Sequence, residues 1–482
     1  MRSPASSLPG HPAPTAVRSG PSGPSGPGSQ RLAYRAMDAA RRFAEVNLIA
    51  DPLYGYIEIT KGAGSDPGER GLLDSPWMQR LRRIHQLQSA WWVFPTAEHS
   101  RFAHLLGAMH LSTLFARQVD PSLRAAFPDT PSPAVVESTL RLAGLLHDCG
   151  HGPFGHFFDR EVLVRHGIDH EDVGRHLVVE ELGGLIRALR AAPLGPFEPG
   201  EEVDPRWVAW VMAPADMPGY EPPGWLRALK PILCGPATVD NLDYVRRDAY
   251  MVGVSVGAVD VQRLLHYTFV SGETVALHAH ALGALQMFLE ARLYLYLSIY
   301  FHRTVRRIDL SMREIFADTV ARVLSGDPRE HLDEYSDLTD WSLLETVRRW
   351  RRGNAEERRL AEAWRRITDR QLRWQLVFEA TLRAGVRTDD LHARIDDALP
   401  AHARGARFLV DVAMASIAPS NPMDPTGFIA VYDPLRDRVE RGRADALVAR
   451  LPQHNAVVRV FTDDEGATTA LHTAAMRVLS GD

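Results

Sequence analysis

The pattern of hydrophobic and polar positions along the chain predicts a largely helical protein. Apolar residues recur at three- and four-residue spacing, the period of a helix with one buried face, around 102–109 and 142–146. Further long helices are predicted at about 276–325, 342–352 and 354–385. The apolar stretch 277–301 is interrupted by charged and histidine side chains, so it is predicted to be a buried helix and not a membrane span.

The C-terminal part of the chain follows a different pattern. Three short runs rich in β-branched and aromatic residues, at 408–412, 428–432 and 457–461, are predicted to be strands. Turn residues at 421–422 and 425–427 separate the first two of these runs. Nearer the front, an extended run is predicted at 54–59, and Ser75 followed by Pro76 is typical of a helix start. The expected fold is therefore mainly α, with a helical core and a smaller mixed α+β C-terminal lobe.

Composition divides the chain into three predicted parts. Residues 1–30 contain 7 Pro, 5 Gly and 7 Ser, which leaves too little apolar surface to offset the entropy lost on ordering. We therefore expect a disordered tail over residues 1–36, a core over 37–330 and a C-terminal lobe over 331–482.

Charge and cysteine content exclude several classes of protein. The 60 acidic and 55 basic residues give a net charge of −5, which argues against a general nucleic-acid or anionic-membrane binder. Two cysteines in 482 residues exclude a disulfide scaffold and are typical of a reducing compartment. Without an uninterrupted apolar stretch of about 20 residues, a soluble cytoplasmic protein is expected.

The stretch 145–159 concentrates polar chemistry at the end of an apolar helix. His147 and Asp148 are adjacent, and Gly150, Gly152 and Pro153 then break the helix. An imidazole and a carboxylate at such a place are well suited to hold one metal ion.

Other candidate ligands lie far away in sequence. His104 lies on another predicted helix, and Asp240, Asp243 and Asp248 offer carboxylates downstream. A mixed nitrogen and oxygen set of this kind suits Fe, Mn or Zn.

A simpler interpretation is that these histidines are only hydrogen-bonded core residues, which is the usual case for a lone buried histidine. Here, however, His151 and His156 follow the His-Asp pair within the same glycine- and proline-rich break. Polar groups this dense at the end of an apolar helix are costly to bury without a partner. The density favours a metal site.

At these residues the chain resembles the HD-domain phosphohydrolases, which are named for a His…His-Asp…Asp ligand set. More closely, it resembles their deoxynucleoside triphosphate triphosphohydrolases, which include the human SAM-and-HD-domain enzyme. The similarity is carried by 51–55, 79–82, 93–95, 101–104, 147–159, 240–248, 410–412 and 421–422. The sequence shows no sign of a SAM domain.

The resemblance implies a metal-dependent enzyme that cleaves dNTPs, dGTP among them, to deoxynucleoside and inorganic triphosphate. The implied metal ligands are His104, His147, Asp148 and Asp240, holding a divalent Fe, Mn or Zn ion, with Mg expected on the substrate phosphates. The implied catalytic residues are Asp148, His151, His156 and His170, with His156 as proton donor to the leaving oxygen. The implied substrate contacts are Gln86, Leu87, Arg101, Tyr244, Asp248, Arg292 and Tyr300, with Arg101 and Arg292 on the phosphates.

Two departures from the family pattern affect what the resemblance implies. Asn241 stands where the family has a lysine, which removes one phosphate contact. Asp74, Gln79 and Arg82 match positions that bind a regulatory guanine nucleotide in the human enzyme, but residues 47–50 lack the basic residue and asparagine that help to hold it. We expect a homo-oligomer with weak or altered nucleotide activation, although a capped helix with a polar face explains the same three residues.

Two alternative functions remain open at this point. One is an HD phosphohydrolase acting on another nucleotide, and the other is a catalytically inactive nucleotide- or nucleic-acid-binding protein. Cyclic-dinucleotide hydrolysis is disfavoured because no Gly-Tyr-Pro follows the motif, and alarmone hydrolysis because His151-Gly152 occupies the place of an acidic pair. The presence of all four implied ligands argues against an inactive protein. A nucleic-acid partner is not indicated by the sequence, and no membrane partner is expected.

Overall fold

The computed structural model describes residues 45–235, 237–382, 390–416, 429–440 and 454–480. The predicted disordered tail at 1–36 and the predicted turns at 421–422 and 425–427 lie outside these residues.

Most of the described chain is helical. The α-helices of the described residues are α1 (Gly68–Leu73), α2 (Pro76–Arg80), α3 (Arg101–Ala126), α4 (Pro133–Leu146), α5 (His156–Glu161), α6 (His170–His176), α7 (Gly183–Ala188), α8 (Pro205–Val211), α9 (Gly224–Leu229), α10 (Val239–Val252), α11 (Val261–His266), α12 (Leu282–Leu295), α13 (Arg303–Arg313), α14 (Phe316–Val320), α15 (Leu332–Asp337), α16 (Asp340–Arg349), α17 (Ala355–Thr368), α18 (Leu391–Asp397) and α19 (Thr468–Ser480). Short 3₁₀ and π-helical segments join several of them.

The strands are short and form small sheets. They are β1 (Val46–Asp51), β2 (Gly55–Thr60), β3 (Ala191–Ala192), β4 (Gly195–Pro196), β5 (Thr268–Ser271), β6 (Thr274–His278), β7 (Gln375–Leu382), β8 (Phe408–Ser416), β9 (Ala430–Asp433), β10 (Arg438–Glu440) and β11 (His454–Thr462). β1 pairs with β2, β3 with β4, and the larger sheets have the orders β10-β9-β6-β5 and β7-β11-β8.

Helices α3 and α4 form the centre of the helical body, and α10 packs against α3. Apolar residues at the helical period, such as Leu105 and Met109 on α3 and Leu142 and Leu146 on α4, are fully or almost fully buried. Ser132 caps the start of α4, where its side chain accepts from the amide of Val135 and Pro133 occupies the first turn. This packing brings together the start of α3, the end of α4 and the start of α10.

The C-terminal lobe is built on the antiparallel sheet β7-β11-β8. Helices α18 and α19 cover it, and Phe378, Ile395, Phe408, Val460 and Leu471 form its own apolar core. β9 runs parallel to β6, with Ala276 opposite Ala430, so this C-terminal strand completes a sheet of the helical body. The prediction of a mainly α fold with a smaller mixed lobe is confirmed.

The sequence pattern failed at two helix boundaries. The helix predicted over 354–385 ends at Thr368, and its last part is strand β7, because Gln375–Leu382 pairs along its length with β11. Likewise, 274–278 is strand β6, paired with β5, and not the start of a long helix. The extended run at 54–59, the Ser75 cap and the strands at 408–412 and 457–461 are confirmed, as are residues 430–432 of the run at 428–432. No helix among the described residues is both long enough and apolar enough to span a membrane.

Candidate metal centre and active site

The four predicted metal ligands meet at the ends of three helices. His104 lies in the first turn of α3, His147 and Asp148 directly follow α4, and Asp240 lies in the first turn of α10. His104 Nε2 is 3.1 Å from Asp240 Oδ1 and 3.4 Å from His147 Nε2. His147 Nε2 is 3.6 Å from Oδ1 of both Asp148 and Asp240. Ligand atoms of a single ion have such separations, because metal–ligand bonds of about 2.0–2.2 Å place neighbouring ligands about 3 Å apart.

The Nδ1 atoms of His104 and His147 already have hydrogen-bond partners. His147 Nδ1 lies 3.0 Å from the carbonyl oxygen of Gly144, which can only accept, so Nδ1 carries the proton and Nε2 presents a lone pair. His104 Nδ1 is 2.8 Å from Asp243 Oδ2, and Arg247 in turn donates to Asp243 from Nε at 2.8 Å. Partners of this kind fix the ring orientation that a metal-binding histidine needs.

The charges of the cluster also fit a divalent cation. Burial lowers the pKa of His104, but hydrogen bonds to Asp240 and Asp243 outweigh it and raise this pKa to about 10. Burial raises the pKa of Asp240, but His104 and His147 outweigh it and hold that pKa well below its usual range. The carboxylates of this cluster thus favour positive charge beside them, as a divalent cation would supply. His104, His147 and Asp148 offer ligand atoms within 4.8 Å of one another, and Asp240 lies 3.1 Å from His104, so the cluster fits a metal ion.

A second polar cluster lies beside the first and is organised by Asp159. His170 Nδ1 and His156 Nδ1 lie 2.7 Å and 3.1 Å from the same carboxylate oxygen, Asp159 Oδ2. The ring of His151 stacks on His170 at 3.7 Å. Burial raises the pKa of Asp159, but the three histidines outweigh it and hold this pKa far below its usual range. The sequence analysis missed Asp159, although its position three residues after His156 on one helical turn was a usable signal.

Asp148 connects the two clusters. Its Oδ1 atom is 3.3 Å from His151 Nε2 and 3.8 Å from His170 Nε2, while Oδ2 accepts from Arg101 Nη1 at 2.5 Å. Gly155 makes room for that arginine, since a Cβ atom there would overlap the Arg101 guanidinium. Gly155 also has φ of +54°, a conformation that side chains disfavour, so two separate constraints require glycine.

The loop 147–155 is held from the side opposite the two clusters. Arg80 donates to the carbonyl of His151 at 2.8 Å, the Tyr335 hydroxyl donates to the carbonyl of Gly150 at 2.6 Å, and Asp340 Oδ1 accepts from the amide of Phe154 at 2.7 Å. Phe154 has φ of +62°, a strained value that these hydrogen bonds maintain. Arg80, Tyr335 and Asp340, none of which was predicted, thus fix the backbone that carries the catalytic candidates.

A cavity of about 540 Å³ opens over both clusters, within the size range of small-molecule sites. The predicted site residues that line it are Gln86, Leu87, Arg101, His147, Asp148, His156, His170, Asp240, Tyr244, Asp248 and Tyr300. Asp248 accepts from the Tyr300 hydroxyl at 2.5 Å and from His99 Nε2 at 2.9 Å. These hydrogen bonds fix Asp248 and Tyr300 in the cavity wall. Burial raises the pKa of Tyr300 and of Tyr244 well above the usual value, so both hydroxyls stay protonated.

Three predicted residues lie behind the cavity wall. His104 and His151 are fully buried. Arg292 does not line the cavity, because its Nε donates to the Tyr244 hydroxyl at 2.8 Å and its Nη2 lies 3.4 Å from the Tyr296 hydroxyl. The structure therefore places the Arg292 guanidinium behind two tyrosines, where it orients them, and its predicted phosphate contact would require it to move.

The predicted regulatory residues lie away from the cavity lining. Asp74 pairs with Arg70 at 3.2 Å on the surface. Gln79 donates to the carbonyl of Leu73 at 2.7 Å and accepts from Arg82 Nε at 3.0 Å. Arg82 also lies 3.7 Å over the Phe102 ring. These contacts are those of a capped helix with a polar face, and they neither require nor prevent a nucleotide.

Comparison with known proteins identifies the class to which this geometry corresponds. Residues 101–201 match the family described as HD domain. The match covers about a fifth of the chain, and His104, His147 and Asp148 of the first cluster lie within the matched residues, whereas Asp240 lies beyond them.

The chain also resembles individual proteins over more than half of its length. The chain is 28% identical over 348 residues to "Uncharacterized protein YwfO" of Bacillus subtilis, covering 69% of this chain and 72% of that one. It is 27% identical over 337 residues to the deoxynucleoside triphosphate triphosphohydrolase SAMHD1 of Bos taurus, and 24% identical over 319 residues to the SAMHD1 homolog of Dictyostelium discoideum. These matches cover 63% and 62% of this chain, and the chain spans about half the length of each of the two relatives, 54%.

A solved structure supports the fold alone. A hypothetical protein from Aquifex aeolicus superimposes with a TM-score of 0.66 at 23% identity, covering 89% of this chain and 99% of that one. The resemblance to HD-domain deoxynucleoside triphosphate triphosphohydrolases rests on the sequence matches.

Proposed function

We propose that the protein hydrolyses deoxynucleoside triphosphates to deoxynucleoside and inorganic triphosphate. The observation that carries this proposal is a single cavity lined by the metal-ligand candidates, by histidines bound to Asp159 and by a tyrosine-rich wall around Asp248. The sequence similarity to SAMHD1 triphosphohydrolases supports the same substrate class.

His104, His147, Asp148 and Asp240 would hold the metal, and the mixed imidazole and carboxylate set suits Fe, Mn or Zn, with Mg on the substrate phosphates. A bound divalent ion of this kind polarises a phosphoryl oxygen and lowers the pKa of a water molecule.

The chain's own residues supply the remaining parts of the reaction. Arg101 brings a guanidinium and His156 an imidazole to the cavity wall in a protein of net negative charge, and both groups can bind a triphosphate. The bond between the α-phosphorus and O5′ breaks, a water oxygen takes its place on phosphorus, and O5′ takes a proton. His156 is placed to donate that proton, because its Nδ1 is bound to Asp159 and 61% of its side chain is exposed.

The sugar end of the cavity contains an acceptor that is left open. Gln86 Oε1 is buried and, among the described residues, has no hydrogen-bond partner. A buried amide oxygen without a partner is costly, and a sugar hydroxyl between Gln86 and Asp248 would satisfy it. We therefore propose that Gln86 and Asp248 bind the 3′-hydroxyl of the sugar.

Product analysis tests the proposal. The purified, metal-loaded protein is incubated with each of the four dNTPs, and the products are separated by anion-exchange chromatography. Deoxynucleoside and intact triphosphate in equal amounts are expected. Formation of dNDP and orthophosphate would contradict the proposal, and a parallel screen of other nucleotides would then identify the substrate of this HD site.

We further propose a homo-oligomer in which a nucleotide bound at Asp74, Gln79 and Arg82 weakly activates hydrolysis. Asp74 and Arg82 are exposed, and a carboxylate, an amide and a guanidinium together can recognise a nucleotide base. One dNTP should then accelerate hydrolysis of another, and Arg82→Ala should remove the acceleration and reduce the oligomer measured by mass photometry. Simple competition between dNTPs, with an unchanged oligomer in the variant, would assign the three residues to the fold.

A further inference from the structure

The segment 51–55 carries part of the family resemblance, but none of its residues lines the cavity. Asp51 ends strand β1, and the turn that follows leads into strand β2. Asp51 Oδ1 accepts from the backbone amides of Leu53 at 2.9 Å and Tyr54 at 3.1 Å, so the aspartate itself organises the turn. The side chain of Tyr54 extends from this turn to helix α10, where its hydroxyl donates to Asp243 at 2.8 Å.

Asp243 is a fully buried carboxylate with a donor at each of its acceptor positions. Its Oδ1 atom accepts from the Tyr54 hydroxyl at 2.8 Å and from Arg247 Nη2 at 2.9 Å. Its Oδ2 atom accepts from Arg247 Nε at 2.8 Å and lies 2.8 Å from His104 Nδ1. Because Arg247 pairs with both oxygens, the carboxyl group stays ionised and can only accept. The position that remains is directed to His104, so Nδ1 of that ring carries a proton and Nε2 faces the other candidate ligands.

Arg247 is held in turn by the segment that carries Tyr54. Its Nη1 atom donates to Asp51 Oδ2 at 2.8 Å. The side chains of Arg247 and Asp51 are only 2% and 6% exposed, so this ion pair is shielded from solvent. Since the Tyr54 amide returns to Asp51, the residues Asp51, Arg247, Asp243 and Tyr54 form a closed ring of hydrogen bonds.

Helices α3 and α10 approach each other closely beside this ring. Gly107 lies about one turn after His104 on α3, and a Cβ atom there would overlap the side chains of Asp243 and Arg247. Glycine at this position therefore lets the Asp243 carboxylate reach the His104 ring. Burial raises the pKa of Tyr54 well above its usual value, so its hydroxyl stays protonated and donates.

We propose that Tyr54 is a positioning residue for the metal centre: its hydroxyl fixes the Asp243 carboxylate, which fixes the ring of His104. The inference rests on the assignment of His104 as a metal ligand in the proposed function. Partners of a ligating histidine set its tautomer and orientation and increase its donor strength. Here the partners extend to a hairpin that precedes residues 101–201, the part of the chain that matches the HD-domain family. The metal affinity of this protein thus depends on a segment outside that match.

The experiment measures the dissociation constant for Zn²⁺ of the metal-free full chain, by competition with a chromogenic chelator. Tyr54→Phe removes only the hydroxyl and keeps the ring contact with His110, whose centroid is 4.7 Å away. The dissociation constant should rise about tenfold, the lower end of the usual effect of losing such a partner. The melting temperature of the metal-free protein should change little, because one hydrogen bond is a small part of its stability.

A double variant tests whether Tyr54 acts through Asp243. Asp243→Ala should raise the dissociation constant about 100-fold, the upper end of the same range, while Arg247 keeps its ion pair with Asp51. In that background Tyr54→Phe should have no further effect, because the carboxylate that its hydroxyl holds is absent. If Asp243→Ala does not fold, the comparison of the single tyrosine variants decides the question.

Tyr56→Phe is the matched control, since Tyr56 lies on the same hairpin and is 63% exposed. It should bind zinc as the wild type does, and His147→Ala measures any zinc that is bound elsewhere. An unchanged dissociation constant in Tyr54→Phe would overturn the inference, as would equal rises in the two tyrosine variants or a further loss of affinity in the double variant. The expected zinc affinities in a protein that cleaves no dNTP would overturn the proposed function alone. A wild type that binds no metal ion at these ligands would overturn the inference together with the metal centre.

Discussion

The two histidine clusters of the active site have nearly the same composition but different geometry. In the first, His104 and His147 direct their Nδ1 atoms outward to Asp243 and to a backbone carbonyl, and their Nε2 atoms approach each other. In the second, His156 and His170 direct their Nδ1 atoms inward to a single oxygen of Asp159.

We interpret this difference as that between the proposed ligand set and the proposed proton-donating group. A metal site needs lone pairs that meet at one point, and the Nε2 atoms of His104 and His147 approach each other in this way. In the second cluster the meeting point is a carboxylate, which accepts from the imidazoles and fixes their orientation. Orientation of the ring nitrogens, and not the count of histidines and acids, predicts what each cluster does.

Removing a ligand from the first cluster should have the largest effect. His147→Ala is expected to abolish both metal binding and hydrolysis while the fold largely persists, because an incomplete ligand set loses its ion. Metal content by plasma mass spectrometry, activity and circular dichroism check this together. Metal at wild-type stoichiometry in the variant would show that the first cluster is not the metal site.

Neutralising Asp159, the centre of the second cluster, should separate metal binding from proton donation. Asp159→Asn is expected to keep the metal but to lower kcat by about 100-fold, the usual contribution of a positioned proton donor. The same metal analysis and a kcat measurement across pH test it. Loss of metal from this variant would mean that the two clusters form one ligand set.

The metal-free form of the first cluster predicts a pH dependence of metal affinity. The raised pKa of His104, about 10, means that this imidazole is protonated near neutral pH and must lose its proton when the cation binds. Affinity should therefore rise at least about tenfold per pH unit below that pKa, with at least one proton released per ion, because burial lowers the pKa of His147 but Asp148 and Asp240 outweigh it and raise this pKa too. Calorimetry in buffers of different ionisation enthalpy counts the proton, and Asp159→Asn should leave the count unchanged. A pH-independent affinity would show that His104 is neutral before binding.

The smallest expected effect concerns the space around Arg101, where the two clusters meet. Gly155→Ala forces a methyl group onto this guanidinium, so we expect kcat to fall by about tenfold and stability by about 1 kcal/mol. Gly167→Ala is the matched control, because Gly167 has φ of +71° but open space around its Cβ position. The control should lose similar stability in thermal melts and keep full activity. Equal loss of activity in both would mean that backbone strain, and not the displaced arginine, is responsible.

The sequence predicted the first cluster better than the second for a physical reason. His147 and Asp148 are adjacent where an apolar helix ends, so a local pattern reveals them. Asp159 joins His156 to His170, which lies eleven positions further on another helix, and no local period records that meeting. The sequence pattern predicted a helix where strand β7 lies. The strand forms because it pairs with β11, which is far away in sequence, and this pairing overrides the local preference for helix.

The attachment of the loop 147–155 to Tyr335 and Asp340 has a consequence for how the protein is made. These hydrogen bonds join residues 185 and 186 positions apart, so a long segment of chain must close before they form. During synthesis Arg80 is available early to hold the carbonyl of His151, but the anchors from Tyr335 and Asp340 are absent until residue 340 has left the ribosome. A fragment limited to residues 101–201, the segment that matches the HD domain, would lack these anchors. In such a fragment we expect Phe154 to relax from its strained conformation. The neighbouring histidines would then lose their fixed positions.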